Sequence, residues 1–99
     1  MARIELAPGV LDDFDRFFDH MAEGDPASAP RRIDEIVQAL QVLATSPLIG
    51  RPVKGGMREL VIGHAPRGYV APYRYAAPVD MVFVLAVRSQ RESGYRRDG

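Results

Sequence analysis

Cysteine and tryptophan are absent from the 99 residues, lysine occurs once, and histidine occurs twice. Without cysteine there is no disulfide framework, no thiolate metal site and no cysteine nucleophile. Two histidines, His20 and His64, do not make a histidine-rich metal centre. Neither charge sign is in excess: 13 basic and 13 acidic side chains give a formal net charge of zero. No apolar run approaches the ~18–20 residues that a membrane span requires. The opening Met1-Ala2-Arg3-Ile4-Glu5-Leu6 is too polar for a secretory signal, so the expected compartment is the cytoplasm, with no membrane partner. What is present is an ordinary globular composition, 46% hydrophobic and 26% charged. At this length it specifies one domain, residues 1–99, with one modest core.

The neutral total conceals a division. Residues 1–50 set nine acids against four arginines, whereas residues 51–99 set Lys54 and eight arginines against four acids. Arginine supplies nearly all the positive charge, and its planar fork suits bidentate recognition of carboxylate or phosphate. The C-terminal half is therefore equipped to meet an acidic partner, or to pair with its own N-terminal half.

Hydrophobic periodicity orders the chain. Ile4 and Leu6 alternate with Arg3 and Glu5, predicting a short strand. Val10, Leu11, Phe14, Phe17, Phe18 and Met21 then fall at helical spacing, with Asp12 and Asp13 expected in the first turn, where the helix dipole favours acids. His20 is expected in solvent near the helix end. Gly24-Asp25-Pro26 breaks this helix, and Asp25 or Ser28 is the expected cap of the next. Ile33, Ile36, Val37, Leu40 and Leu43 form the second stripe, stopped by Pro47. Pro47 to Gly56 is expected to be a loop; its Gly55-Gly56 pair lacks the Gly-Lys-Ser/Thr of a phosphate loop.

The period then changes to two. Met57 to Gly63, Tyr69 to Tyr75 and Met81 to Val87 read as three strands joined by turns. In the middle one, Tyr69, Tyr73 and Tyr75 share one side while Val70 and Arg74 take the other, and Pro72 predicts an irregularity. Met81 to Val87 is continuously apolar, predicting a strand that is central or covered on both faces. The expected fold is α+β in two layers: an N-terminal strand, an antiparallel helical hairpin and a three-stranded antiparallel meander, β-α-α-β-β-β. Phe14, Phe17, Ile33, Val37, Leu40, Phe83 and Leu85 are expected in one core.

The densest cluster of chemically capable side chains is C-terminal: Arg88, Arg91, Tyr95, Arg96 and Arg97, which Arg58 and Arg74 join if their strands run alongside. Such a patch suits a phosphate backbone or an acidic protein segment, and tyrosine amid arginines can stack a base. No Ser/His/Asp triad, zinc motif or paired-carboxylate site is present.

Three segments, Arg58-Glu-Leu-Val-Ile, Gly68-Tyr-Val-Ala-Pro-Tyr-Arg-Tyr75 and Val82-Phe-Val-Leu-Ala-Val-Arg-Ser-Gln-Arg-Glu-Ser-Gly-Tyr95, resemble the sheet half of the RelE/ParE toxin superfamily. The N-terminal strand, the helical hairpin and the Ser46-Pro47…Gly50-Arg51-Pro52 loop are also similar to ParE-type plasmid-stabilisation toxins. The resemblance spans essentially the whole chain. It implies a toxin of a type II toxin–antitoxin system, without cofactor, silenced by a small antitoxin in a hetero-oligomer.

Two mechanisms occur in that superfamily. RelE-like members cleave messenger RNA on the ribosome without metal, using basic residues on the sheet and a C-terminal tyrosine. ParE-like members lack this set and poison DNA gyrase. This chain has Arg58, Glu59, Leu60 and Val61 where RelE-like toxins carry lysines, and Tyr69-Val70 where they carry Tyr-Arg. Its only basic residue further along that strand is Arg74, while the tail keeps Arg88, Arg91 and Tyr95. The partial set favours the gyrase-directed reading, in which Arg58, Arg74, Arg88, Arg91 and Tyr95 bind antitoxin or target and none is catalytic. The alternative is a ribonuclease using Arg74, Arg88, Arg91 and Tyr95, with His64 as general acid.

Overall fold

A computed structural model describes residues 1–63 and 68–90. The order is β1 (Arg3–Leu6), α1 (Pro8–Gly24), α2 (Ala29–Gln41), β2 (Arg51–Val53), β3 (Met57–Ile62), β4 (Tyr69–Ala76), β5 (Met81–Val84) and β6 (Arg88–Ser89). The architecture is the expected α+β arrangement, with two short strands added to it.

Pro8 starts α1 because its fixed φ suits the first helical position. The helix therefore begins two residues before Val10, and Asp12 and Asp13 fall in its second turn, not in the first as expected. Val10, Phe17 and Met21 are buried and Phe14 packs against them. Leu11 and Phe18 lie one residue, about 100°, further round the helix and stay 59% and 44% exposed. The apolar stripe is thus wider than the surface that covers it.

In α2, Ala29, Ile36 and Leu40 are buried and Ile33 packs beside them. Ser28 occupies the N-cap position, but its hydroxyl donates to the Asp25 carboxylate at 2.9 Å and does not cap the helix. The helix tightens into a 3₁₀ turn, Val42–Ala44, that buries Leu43 completely. Filling a site such as Ile36 stabilises the fold by about 1.5–3 kcal/mol.

The strand order is β1-β5-β4-β3-β2, with β6 beside the first half of β4. β1 runs parallel to β5, and every other pairing is antiparallel. Directly paired residues share a face. Ile4, Val82, Val84, Tyr73, Ala71, Leu60 and Ile62 face the helices and build the core with them. The alternate residues form an open face without a helical layer.

That geometry corrects two expectations. Met81 to Val87 is not one strand covered on both sides: β5 ends at Val84, and only Val82 and Val84 face the core. Phe83 and Leu85, expected in the core, are 36% and 40% exposed. β5 is central only laterally, between β1 and β4.

The irregularity at Pro72 is a bulge. Tyr73 pairs with Val84 and Val70 with Arg88, so three residues, Leu85 to Val87, oppose two, Ala71 and Pro72. The Pro72 carbonyl accepts the Leu85 N–H at 2.9 Å, so proline's missing N–H falls where the ladder is broken.

The segment Pro47 to Gly56 also departs from a plain loop, since Arg51–Val53 forms edge strand β2 against β3. Its tight return to β3 uses Gly55 and Gly56 at φ 79° and 73°, a region open to glycine.

Candidate functional site

Pairing register assembles the open face in rows across the strands. One row runs Glu5, Phe83 and Arg74, and Met57 and Val53 pair with each other on the far two strands. The next carries Pro72, Glu59 and Arg51, and a third carries Arg88, Val70 and Val61. The face is therefore a mixture of arginines and apolar side chains, with Val61 47% exposed in the third row and Phe83 partly exposed in the first.

Glu59 is central to the middle row. Its Oε1 accepts from Arg51 Nη2 at 2.9 Å and from Nε at 3.2 Å. The fork fits because Arg51 and Glu59 are direct cross-strand partners. Arg51 escapes the sequence reading because the proline and glycine around it mark a loop. The available signal is the alternation of Arg51-Pro52-Val53 eight residues before Glu59, a hairpin spacing.

Arg74 is exposed, and its Nη2 donates to the Gly55 carbonyl at 3.3 Å. Arg88 is exposed on β6. Its position is fixed on both sides: Val87 N–H donates to Asp13 Oδ2 at 2.9 Å, and Gln90 N–H donates to the Gly68 carbonyl at 2.9 Å. Arg74 and Val70, the residue opposite Arg88, are four positions apart on β4, roughly 13 Å at ~3.3 Å per residue. Arg74 and Arg88 thus share a face, with their backbone positions set apart along it.

Arg58 does not join them. It pairs with Tyr73 on the helix-covered side, where its Nη1 donates to the carbonyls of Gly50 at 2.7 Å and Leu48 at 3.1 Å. Tyr73, fully buried, donates its hydroxyl to the Pro47 carbonyl at 2.7 Å and accepts the Gly50 N–H at 2.9 Å. Arg58 and Tyr73 together pin the loop that leads into β2. Arg91, Tyr95, Arg96, Arg97 and His64 lie outside the described residues.

On the helix side, a shallow cleft of ≈ 280 Å³ opens between α2 and the ends of β3 and β4, with Arg32, Glu35 and Tyr69 around an apolar floor. Burial pushes the Tyr69 phenol above its ordinary value, against the lowering effect of Arg32. Among the described residues, no group of three or more His, Cys, Asp or Glu side chains is placed to hold a metal ion. No helix among them is long and apolar enough to cross a membrane.

Comparison with known proteins agrees with this architecture. The family described as the ParE toxin of the type II toxin–antitoxin system parDE matches residues 4–94. Toxin RelE3 of Caulobacter vibrioides is 30% identical over 92 residues, covering 93% of this chain and 98% of that protein. Among solved structures, the chromosomal ParDE system of P. aeruginosa superposes with a TM-score of 0.76 at 22% identity, covering 90% of this chain and 96% of that one. The toxin–antitoxin complex RelBE2 of Mycobacterium tuberculosis gives 0.68 at 18% identity, covering 89% and 96%. Those two likenesses concern the fold, while the sequence matches carry the family. The chain belongs to the ParE toxin family of type II toxin–antitoxin systems.

Proposed function

We propose that this toxin acts by holding a protein target, DNA gyrase, through its open sheet face and carries out no RNA cleavage of its own. The observation that supports the reading is the make-up of that face. Cleaving RNA requires donors that converge on the phosphorane as charge develops there. Here the centre of the face is a carboxylate, Glu59, already paired with Arg51. Arg74 on β4 and Arg88 on β6 lie in the rows on either side, with Phe83 exposed beside Arg74 and Val61 exposed across β4 from Arg88. Arginine with exposed aromatic and aliphatic side chains is the composition of a protein-binding surface.

The same face suits the antitoxin that a type II system supplies. The P. aeruginosa and M. tuberculosis neighbours are toxin–antitoxin systems by description. An antitoxin segment with acidic and apolar side chains, lying over Arg74, Arg88 and Phe83, would cover the surface that the target needs. Arg91 and Tyr95 follow Arg88 in the sequence and complete the proposed binding set.

Two parallel assays test the reading. Purified toxin is expected to inhibit plasmid supercoiling by gyrase, with the antitoxin restoring it, and to leave ribosome-bound message intact in primer extension. Cleaved message with unaffected gyrase overturns the proposal. Arg74, Arg88, Arg91 and Tyr95 then become the residues to mutate first, since loss of one transition-state donor typically costs ~10²–10³ in rate.

A further inference from the structure

We propose that the toxin, when free of other partners, associates with itself head to tail, the acidic outer side of α1 in one copy seating on the open sheet face of the next. The occupant is a second copy because the two surfaces complement each other within one chain. On α1, Leu11, Asp15 and Phe18 form one stripe at i, i+4 and i+7, flanked by Asp12 and Asp19, and all five are exposed. On the sheet, Arg74 and Arg88 are exposed, with Phe83 beside Arg74 and Val61 across β4 from Arg88, while Arg51 is paired with Glu59. Each surface thus offers large apolar side chains set among charges of one predominant sign, and the signs are opposite.

The fold keeps these surfaces from meeting within one molecule. α1 buries Val10, Phe17 and Met21 against the inner side of the sheet, which leaves Asp12, Asp15 and Asp19 exposed on the helix's outer side, while Asp13 alone bonds back to the Val87 N–H. The arginines lie on the sheet's other side. One acidic side and one basic side produce a heterologous contact, which adds copies in sequence and does not close as a two-fold dimer. The zero formal net charge of the chain offers no overall repulsion to oppose this.

The contact uses the face assigned above to antitoxin and target, yet it stands apart from the identity of that target, and its test needs neither gyrase nor ribosome. Sedimentation of the toxin alone is expected to give a mass that rises with concentration at 0.1 M salt. The rise should be largely lost at 1 M, where the screening length shrinks from about 10 Å to about 3 Å. A charge swap locates the surfaces. Asp15→Arg/Asp19→Arg and Arg74→Glu/Arg88→Glu should each be monomeric alone and associate when mixed in equal amounts. Phe18→Ser leaves every charge in place and should weaken association about tenfold, through the lost apolar contact. Circular dichroism checks each fold, and the single variants Asp15→Arg and Arg74→Glu repeat the swap where a double variant does not fold. Wild-type toxin that stays monomeric at 0.1 M salt overturns the proposal. So does association indifferent to salt, to the swap or to Phe18→Ser.

Discussion

The carboxylate of Asp13, in the second turn of α1, accepts the main-chain N–H of Val87 at 2.9 Å across 74 residues of sequence. Val87 is the last residue of the bulge and is fully buried, so its N–H has exchanged water for this one acceptor. Arg16 approaches the other oxygen of Asp13 at 3.0 Å. The bond ties the helical layer to the strand that presents Arg88. Asp13→Ala is expected to cost about 1–3 kcal/mol in urea unfolding, the penalty for leaving a buried donor unsatisfied. Asp13→Asn keeps an acceptor oxygen and should recover most of that loss. Equal losses in the two variants would assign the effect to charge and not to the hydrogen bond.

A second long-range tie predicts intolerance at a glycine. A Cβ on Gly50 would lie 2.6 Å from Tyr73 Cε1 and 2.8 Å from the Glu59 carbonyl oxygen. Neither the buried ring nor the β3 backbone can move freely. Gly50→Ala should destabilise by about 1–3 kcal/mol through overpacking. Tyr73→Phe should cost a similar amount, because the Gly50 N–H and the Pro47 carbonyl both lose their partner. Thermal unfolding of both variants checks the pair, and a neutral Gly50→Ala would mean that this loop does not seat on Tyr73.

The two faces of the sheet predict opposite mutational responses. Leu40 is 4% exposed in the core, so Leu40→Ala should cost about 2–5 kcal/mol. Phe83, on the open face, should lose little stability when replaced by alanine but should bind antitoxin more weakly. Denaturation and calorimetric titration on the same two proteins decide it. A large stability loss at Phe83 would return that ring to the core.

This contrast also marks what the sequence makes legible. The helices, the meander and the Tyr69, Tyr73 and Tyr75 side of β4 follow from periodicity, because one buried face imposes a period on the residues. The open face imposes none. Phe83 and Leu85 are apolar yet face solvent, so hydrophobicity alone assigns them to a core that they do not enter. Arg58 and Arg74 look equivalent along the chain, but β3–β4 register sends them to opposite faces. Asp13–Val87 and Tyr73–Gly50 join residues 74 and 23 positions apart, which no local pattern encodes.

Alkaline pH should reveal the tyrosines. Burial raises the Tyr69 phenol above its usual value near 10, and the hydrogen bond to Asp80 at 2.7 Å raises that of Tyr75. A raised native value means that the folded chain holds its phenolic protons more tightly than the unfolded one. The associated stability is fully present below pH ~10 and is lost as pH rises through the native values. Ultraviolet titration should show Tyr69 and Tyr75 ionising later in the native protein than in denaturant. Tyr75→Phe should remove one late transition, and a late-ionising fraction unchanged in that variant would contradict the assignment.

Glu59 gives the sharpest electrostatic prediction, because it places a negative charge in the middle of the face proposed to receive an acidic antitoxin. Its pairing with Arg51 is partly exposed, so Glu59→Gln should change stability by no more than about 1 kcal/mol. The acceptor oxygen facing Arg51 is kept, but its charge is lost and the face gains one unit of positive charge. Association with an acidic segment should then quicken ~2–5-fold at low salt, because charge complementarity across the face steers encounter. Arg74→Gln removes a positive charge from the adjacent row and should slow association by a similar factor. Both effects should fade together as salt shortens the screening length. Stopped-flow association at several salt concentrations measures all of this in one series. If Glu59→Gln slows encounter, or if neither variant changes it, the acidic segment does not approach across this side of the sheet.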